Sequence, residues 1–380
     1  MVIVHIDFTG PFTEGMTYQE NLLARCNVED GNEVYFIAPC YKWSGNKIVY
    51  VPSGTTITIE GIKLIRLPYM HMMSVRIDNK IRVPVGLEST LEEISPNVIM
   101  LHCYQTFATH QVIKYLKKNL DVKLYVDNHA DYHNSARNFF SRYILHGIYY
   151  SFFAREVLHY TKSILCITEE VVRFTKEVNH ISSQRLELFP LGGFVLQDKD
   201  YYRIRNEQRE KLGLTKEDIL LVHSGKMTKE KKTYEIVKAL SRVNNKNIKL
   251  LIIGEMAPGV KENVEKIIKC DNRIHYLGWK SGEELQKYLC AGDMYLQPGT
   301  QSATLQNAAC ARCALCIYPH NSYTSIFGKA AYYVKTENEI EDVINEIGQD
   351  RNKLLEKQNE VFDIASQKLD YKKMASILYR

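Results

Sequence analysis

The sequence lacks the features that define several classes of protein. No apolar run reaches the roughly 20 residues that a membrane-spanning helix needs. The opening stretch, Met1–Asp7, has no basic segment and no cleavage site, so we expect a buried strand there rather than a signal peptide. Neither G-x-x-x-x-G-K-[ST] nor G-x-G-x-x-G occurs, which argues against a Walker loop and a dinucleotide fingerprint. Low-complexity segments and short-period repeats are also missing.

The composition is that of an ordinary globular protein. Of the 380 residues, 45% are hydrophobic and 24% are charged, which excludes a disordered tail, a collagen-like rod and a coiled coil. The length corresponds to about 2.5 domains of typical size, so one very large domain or two ordinary ones are expected. The net charge of +5 is too small to indicate a nucleic-acid partner, and none is expected.

The nine cysteines are odd in number and scattered, which disfavours a secreted disulfide framework and favours reduced thiols in the cytoplasm. Cys310, Cys313 and Cys316 form a C-x-x-C-x-x-C run, but no second ligand cluster accompanies it, so it is a poor zinc site. We predict that these cysteines are buried small side chains at a helix-to-strand turn.

Short apolar runs alternate with longer amphipathic stretches along the whole chain. This rhythm is typical of parallel sheets that are covered by helices on both faces. The predicted strands are Val2–Ile6, Val34–Ala38, Lys63–Leu67, Val98–His102, Leu124–Asp127, Ile164–Thr168, Leu186–Phe189, Leu220–His223, Leu250–Ile253, Ile274–Leu277, Met294–Gln297, Leu315–Tyr318 and Tyr332–Val334.

The rhythm restarts after Pro190–Phe194, and the polar stretch Gln197–Lys211 follows. We therefore predict two doubly wound Rossmann-like domains, residues 1–195 and 196–360, that face each other across a cleft. The last stretch, residues 361–380, is predicted to be helical, and an apolar stripe in it indicates that it packs against another element.

Two loops in the second half are candidates for anion binding. His223–Lys232 follows a strand and combines Gly225 with four lysines at the entrance of a helix, which would suit a diphosphate. Gln297–Gln306 follows another strand, and amides near its helix start could donate hydrogen bonds to the same phosphates. A solvated charged turn and an ordinary capped helix start are the plain alternatives for the two loops.

Two loops in the first half also follow strands. Val126–Asn134 contains His129 and His133, which fits a polar loop that contacts a sugar, a structural turn or, least well, a metal site. Thr9–Thr17 contains Gly10 and Gly15, which permit close backbone approach. The aromatic stretch between residues 137 and 155 fits either a core helix or a helix at a membrane interface.

The segment Gly225-Lys226-x-x-x-Glu230-Lys231, together with Leu250–Glu255 and the run from Ile274 to Pro298, resembles the motifs of GT-B-fold glycosyltransferases of the retaining family-4 type. The resemblance implies a GT-B fold whose last helix, within residues 361–380, crosses back to the N-terminal domain. Residues 1–195 would be the acceptor-side domain, and residues 196–360 would bind a nucleotide sugar.

The same resemblance implies roles for individual residues. Lys226 and Lys231 stand where the family holds the donor diphosphate, and His129 stands beside the donor sugar. Gln306 falls on the second Glu of the family's E-x7-E motif, whereas Pro298 occupies the place of the first Glu. Lys226 replaces the usual Arg and keeps its charge but not its bidentate geometry. The predicted donor-binding residues are Gly15, Gly225, Gly299, Thr300, Gln301, Ser302 and Gln306, with Lys226, Lys231 and His129 as catalytic residues.

The resulting hypothesis is a glycosyltransferase that needs no metal or other cofactor and moves a sugar from a nucleotide-diphosphate sugar. The acceptor would be a glycan, a lipid-linked glycan or a protein, as in polysaccharide biosynthesis, with peripheral membrane contact through residues 137–155 and a location in the cytoplasm or at the inner face of the membrane. A nucleotide-sugar epimerase of the same fold and a non-catalytic GT-B-fold partner subunit are the alternatives.

Overall fold

The computed structural model describes residues 1–45, 47–70 and 80–379. The chain divides into two compact units, which are described separately below. The first unit consists of Met1–Pro190 with Met374–Arg380, and the second of Leu191–Lys373. Of the stretch predicted to return to the N-terminal domain, 361–380, the residues from Met374 onward belong to the first unit.

An eight-stranded sheet forms the centre of the first unit, in the order β10-β9-β8-β7-β1-β2-β6-β5. All neighbours pair in parallel except β5 and β6. Its strands, with the separate β3–β4 pair, are β1 (Val2–Asp7), β2 (Glu33–Pro39), β3 (Tyr41–Ser44), β4 (Lys47–Tyr50), β5 (Gly54–Ile57), β6 (Lys63–Leu67), β7 (Val98–His102), β8 (Lys123–Asn128), β9 (Ile164–Cys166) and β10 (Leu186–Leu188).

The helices of the first unit connect these strands. They are α1 (Gln19–Glu29), α2 (Leu87–Ile94), α3 (Ala108–Leu116), a π-helix (Phe140–Tyr150), α4 (Ser151–Val157), α5 (Glu169–Val178) and 3-10 turns at Ser183–Arg185 and Ser376–Tyr379. Helix α5 begins where the Thr168 side chain accepts a hydrogen bond from the Val171 amide, which satisfies one amide of the first turn.

A six-stranded parallel sheet forms the centre of the second unit, in the order β13-β12-β11-β14-β15-β16. Its strands are β11 (Ile219–Ser224), β12 (Ile248–Ile253), β13 (Ile274–Tyr276), β14 (Met294–Gln297), β15 (Ala314–Ile317) and β16 (Tyr332–Tyr333).

The helices of the second unit begin at strong local signals. Ser281 with Glu284, and Thr336 with Glu339, form capping boxes at the starts of two helices. The helices are α6 (Asp198–Lys211), a 3-10 turn (Lys229–Lys231), α7 (Thr233–Arg242), α8 (Pro258–Ile268), α9 (Gly282–Ala291), α10 (Thr304–Cys310), α11 (Asn321–Phe327), α12 (Glu337–Gln349) and α13 (Arg351–Lys368), and α14 (Tyr371–Ala375) spans the end of this unit.

Each unit has its own apolar core on its sheet. In the first unit the core includes the fully buried Val4, Ile99 and Val126 from adjacent strands. In the second it includes Leu221, Leu250 and Met294. The predicted strands are confirmed, since each coincides with an observed strand of one of the two sheets. The central strands carry the unbroken apolar runs that are buried in these cores.

The cysteine interpretation is confirmed as well. Cys310 ends α10 and Cys316 lies in β15, and both are buried with Cys313. Their thiols have separate neighbours, since Cys310 contacts the Leu369 carbonyl and Cys313 the Leu289 carbonyl.

The polar stretch Gln197–Lys211, which marked the predicted domain boundary, forms helix α6. Its arginines explain why so polar a segment is ordered. Arg205 donates to the carbonyls of Cys290, Ala291 and Gly292 at the end of α9, and Arg209 pairs with Asp293 at 3.0 Å. Guanidinium groups stabilise the unpaired carbonyls at a helix C-terminus.

Candidate active site

The carboxyl edge of the second sheet brings the two predicted anion-binding loops together. Strand β11 lies between β12 and β14, so the sheet changes winding direction beside β11, and ligands of open α/β sheets bind at such a point. We call the loops at this edge, residues 225–232 and 298–303, the lysine–glycine edge.

Glycines form the floor of the lysine–glycine edge. A β-carbon on Gly254 would lie 2.0 Å from the Gly225 carbonyl oxygen, and Gly254 has a φ of +132°. The Gly254 amide donates to the carbonyl of Gly278 at 2.8 Å. The backbones after β11, β12 and β13 therefore pack side by side without intervening side chains. Gly225 and Gly278 have open space where a β-carbon would lie.

Lys231 joins the two loops. Its ammonium group donates to the carbonyls of Thr300 at 3.1 Å and Gln301 at 3.0 Å. A β-carbon on Gly299 would lie 2.0 Å from the Glu230 carbonyl oxygen, so only glycine allows this approach. Burial lowers the pKa of Lys231 to about 8. The predicted catalytic Lys231 is therefore also a structural link within the edge.

The other lysines of the first loop differ in exposure and partners. Lys226 is exposed, whereas Lys232 donates to the Lys335 carbonyl at 2.8 Å and lies over the Tyr318 ring. Lys226 therefore retains an ammonium group that can turn toward an anion at the edge, and the Lys232 ammonium is directed to other parts of the unit.

The second loop uses its polar groups internally. The Thr300 amide donates to the Glu230 carbonyl at 3.2 Å, and the Ser302 amide donates to the Tyr323 hydroxyl at 3.0 Å. These two amides, predicted to be free for phosphate, already have partners. Gln306 is 7% exposed. When its side-chain amide nitrogen faces the Ser302 and Ala303 carbonyls, it donates to them at 3.2 and 3.1 Å.

Trp279 stands at the same edge and was not predicted as a site residue. It is 76% exposed and follows Gly278, whose carbonyl binds the Gly254 amide. A large exposed aromatic ring beside open glycine backbone is a suitable surface for a flat ligand.

The carboxyl edge of the first sheet carries a second group of polar residues. Strand β1 lies between β2 and β7, and Asp7 at its end pairs in register with His102 at the end of β7. Asp127 and His129 follow at the end of β8. We call Asp7, His102, Asp127 and His129 the histidine–aspartate edge.

His129, the predicted sugar contact, lies beside Asp127. Its Nε2 is 3.5 Å from Asp127 Oδ2. Burial alone would lower the pKa of His129, but the carboxylate of Asp127 raises it to about 9. The imidazole is therefore cationic near neutral pH. The Asn134 side chain donates to the His129 carbonyl at 2.6 Å, which fixes the backbone after the strand.

Gly15 lies in the loop after β1 of the same unit. It has a φ of +74°, and a β-carbon there would meet nothing within 4 Å. The left-handed conformation explains the glycine, and the open space leaves the backbone accessible, as its predicted donor-binding role requires.

Cys103, Asp127 and His129 bring three potential metal ligands within 4.8 Å of one another. Both Asp127 oxygens already accept hydrogen bonds, from His102 and from the Cys103 amide. Burial raises the pKa of the Cys103 thiol well above its usual value, which disfavours the thiolate that binds metal. His133 is exposed in a non-helical turn. This donor set does not suit a metal ion.

The aromatic stretch of the first unit forms a surface that we call the aromatic stripe. Its exposed side chains, Phe139, Phe140, Tyr143, Ile144, Ile148 and Phe152, recur every four or five residues. The π-helix from Phe140 to Tyr150 has more residues per turn than an α-helix, so this spacing places them on one side. No helix among the described residues is long and apolar enough to cross a bilayer.

Comparisons with solved structures define the fold. WaaG, a glycosyltransferase involved in lipopolysaccharide biosynthesis, is 14% identical with a TM-score of 0.61, covering 99% of each chain. Anabaena HepE in complex with UDP and glucose is 12% identical with a TM-score of 0.62, covering 100% of this chain and 98% of the other. A structure described as trehalose-6-phosphate from E. coli bound with UDP-2-fluoro glucose is 11% identical with a TM-score of 0.65, over 100% and 98%.

These similarities confirm the predicted GT-B fold with two Rossmann-like domains. The match to the family "Glycosyl transferases group 1" covers residues 204–363, within which the lysine–glycine edge lies. The chain is therefore a glycosyltransferase, as predicted. A comparison with curated protein sequences finds no significant match.

Proposed function

We propose that the enzyme transfers a sugar from a nucleoside-diphosphate sugar, with retention of configuration and without a metal ion. The carrying observation is the lysine–glycine edge, where Lys231 fixes two loops and Lys226 stays exposed next to Gly225. HepE with UDP and glucose is a structural neighbour, which supports a nucleotide-sugar donor.

The chemical problem of such a transfer is the negative charge that builds on the departing nucleoside diphosphate. Lys226 and the positive N-terminal end of α7 would stabilise this charge in place of a metal ion. The positions of Lys231, Gly225 and Gly299 keep the loops in the arrangement that this contact needs. The side chains of Thr300, Gln301 and Ser302, rather than the bonded amides of Thr300 and Ser302, would line the diphosphate. Gln306 would act by fixing the start of α10.

In the first unit, His129 would contact the donor sugar as a cation, and Gly15 would let the backbone approach the donor. A retaining transfer lets the leaving phosphate accept the acceptor's proton, so no separate carboxylate base is required. The chemistry of Cys103, Asp127 and His129 supports the metal-free proposal, because their donor atoms are already engaged or protonated.

Calorimetry against a panel of nucleoside diphosphates and their common sugars tests the donor class. We expect binding of at least one diphosphate, with affinity lowered about 10-fold or more in Lys226→Ala. Lys216→Ala is the matched control, because this exposed lysine precedes the opposite end of β11. Equal affinity in all three proteins, or no binding by any diphosphate, would contradict the proposal.

Trp279 supplies a second readout. The chain has 2 tryptophans, and Trp43 lies in the first unit. A nucleotide at the lysine–glycine edge should change the fluorescence of the Trp43→Phe variant and leave that of Trp279→Phe unchanged. A response that survives only in Trp279→Phe would place the nucleotide elsewhere.

We also propose that the enzyme works on a glycan or lipid-linked acceptor at the inner surface of a membrane, as a cytoplasmic protein of polysaccharide biosynthesis. The aromatic stripe, flanked by the exposed Arg137 and Arg155, suits an anionic bilayer interface. WaaG is a structural neighbour involved in lipopolysaccharide biosynthesis, which favours a surface glycan over a protein acceptor.

Flotation with anionic liposomes tests this contact. Arg142 lies over the Tyr132 ring and has a structural role, so the sharper variant is the double change Phe140→Asp with Ile148→Asp. We expect it to lose flotation, whereas Ile59→Asp, at a side chain that is 97% exposed outside the stripe, should float like the wild type. Equal flotation of all three would remove the membrane proposal.

A further inference from the structure

Buried polar side chains in the first unit form a hydrogen-bonded series that includes His102 and Asp127 of the histidine–aspartate edge. It links Asn27 of α1, His5 of β1, His102 of β7 and Asp127 of β8, which are all at most 3% exposed. Asn27 Oδ1 lies 2.8 Å from His5 Nε2, His5 Nδ1 lies 3.0 Å from His102 Nε2, and His102 Nδ1 lies 2.7 Å from Asp127 Oδ2.

The orientation of the Asn27 amide is fixed by its other contacts. Its nitrogen donates to the Ala375 carbonyl at 3.3 Å and to the Tyr379 hydroxyl at 2.7 Å. The Tyr379 hydroxyl in turn donates to Asp30 at 2.9 Å. The Asn27 oxygen therefore faces His5, and because it can only accept, His5 Nε2 must carry a proton.

The other protons on the His5 and His102 ring nitrogens are assigned in the same way. The Asp127 carboxylate only accepts, so His102 Nδ1 carries a proton. The contact between His5 Nδ1 and His102 Nε2 needs one proton more. The two rings then share three protons on four nitrogens, and one ring must be an imidazolium ion.

His102 is the better place for this charge, because it contacts the Asp127 carboxylate whereas His5 contacts a neutral amide. The local electrostatics agree. Burial and then the charge of His102 lower the pKa of His5 to about 3. Burial also lowers the pKa of His102, but Asp127, Glu20 and Asp7 outweigh it and raise that pKa above its usual value.

The Asp127 carboxylate is held on both oxygens. Oδ1 accepts the Cys103 amide at 2.8 Å, and Oδ2 accepts His102 and also lies 3.5 Å from His129 Nε2. His102 is thus one of two groups that hold the Asp127 carboxylate, and this carboxylate faces the His129 ring.

We propose that His102 is a positioning residue, held as a buried imidazolium, that fixes Asp127 and through it the His129 ring. The functional part of this inference rests on the proposed contact between His129 and the donor sugar. The charge assignment does not, because it follows from the hydrogen bonding of the two rings and from the contact of His102 with the Asp127 carboxylate.

Long-range 1H–15N spectra of the histidine rings test the charge. We expect both His102 ring nitrogens to be protonated at neutral pH and His5 to be a neutral ring protonated at Nε2. The signals are assigned by their loss in His102→Gln and His5→Gln. A neutral His102 would overturn the inference, and the measurement needs no activity, so it holds even if the proposed transfer fails.

Kinetics of His102→Gln test the positioning. Misplacement of a contact group by about 1 Å can cost 10²-fold in rate, so we expect kcat to fall at least about 10-fold, with a shift of the His129 ring signals. His146→Gln is the matched control. His146 is a 4% exposed histidine of the same unit that takes no part in this hydrogen-bonded series. It should keep both kcat and the His129 signals.

Three outcomes would contradict the positioning role. One is an unchanged kcat in His102→Gln, the second is an equal loss of kcat in both variants, and the third is an unmoved His129 ring. The absence of transfer in the wild type would contradict the proposed function, and the spectra would still decide on the charge of His102.

Discussion

The two sheet edges handle charge in opposite ways. At the histidine–aspartate edge, His102 and Asp127 are 3% and 0% exposed and pair with each other inside the unit. At the lysine–glycine edge, Lys226 is exposed beside Gly225, and Lys229 and Glu230 of the same loop are exposed as well. Buried paired charge fixes side chains in place, whereas an exposed cation is free to meet an anion. This difference is the basis for proposing a positioning role at the first edge and a binding role at the second.

Breaking the buried pair should give the largest effect. Asp127→Asn leaves His102 without its counter-charge, and loss of one partner of a buried ion pair typically costs about 3–5 kcal/mol. Urea denaturation should show this loss in the free energy of unfolding. Asp121→Asn, an exposed change in the same unit, should stay within about 0.5 kcal/mol. Similar stability of the two variants would mean that the pair contributes nothing.

The glycines allow a direct comparison of the two edges. Gly254→Ala would force a β-carbon against the Gly225 carbonyl oxygen, and Gly15→Ala would meet open space, although both positions have positive φ. We expect a loss on the order of 3 kcal/mol for Gly254→Ala, from strain and overpacking together. Gly15→Ala should cost about 1 kcal/mol from strain alone. Thermal denaturation measures both, and equal losses would show that the tight backbone contact is unimportant.

The exposed lysine should affect catalysis rather than stability. Lys226→Ala is expected to lower turnover at least about 10-fold, because it removes the group proposed to stabilise the leaving diphosphate. Its unfolding transition should match that of the wild type. Turnover is measured with a donor identified by calorimetry and compared with Lys216→Ala. Wild-type turnover in Lys226→Ala would remove the catalytic role.

The smallest expected effect is the pH dependence of nucleoside-diphosphate binding. Since burial lowers the pKa of Lys231 to about 8, the ammonium loses its proton above that value, and affinity for a nucleoside diphosphate should fall several-fold between about pH 7.5 and about pH 9.5. Lys231→Arg should remove this dependence, because arginine stays charged. A flat profile in the wild type would mean that the charge of Lys231 does not act on the ligand.

Lys231 also affects stability with the opposite sign. From about pH 8 to the ordinary lysine pKa near 10.5, the unfolded chain keeps a proton that the folded chain has lost. The unfolded state therefore binds more protons, and the free energy of unfolding should rise with pH across this window. A fall of stability that is specific to wild-type Lys231 would contradict the assigned pKa.

Much of the fold could be predicted because parallel strands that are buried on both faces have continuous apolar sequences. The strands before Lys226 and Thr300 were found in this way, and strand ends then located the loops. The antiparallel strands β3 to β5 were missed, since their half-exposed residues give no such run. The π-helix was missed because its wider turn is not marked by any characteristic amino-acid composition.

Part of the candidate site could be proposed from the sequence for a similar reason. Lys226 and Lys231 lie in one loop next to a recognisable motif, so local sequence was enough to select them. His5, His102 and Asp127 are far apart in sequence, and each looks like an ordinary residue of its strand. Only the pairing of β1 with β7 and of β7 with β8 brings them into contact.

The sequence by itself determined the two parallel sheets and the positions of the loops, because apolar periodicity depends on neighbours along the chain. The GT-B architecture and the glycosyltransferase class were implied by the resemblance of its local motifs to a known family. The tertiary structure decided that Lys231 ties two loops together, that the Thr300 and Ser302 amides have partners, and that a buried histidine must carry a charge. These properties arise from contacts between distant segments, whose geometry and proton count exist only after the sheets have formed.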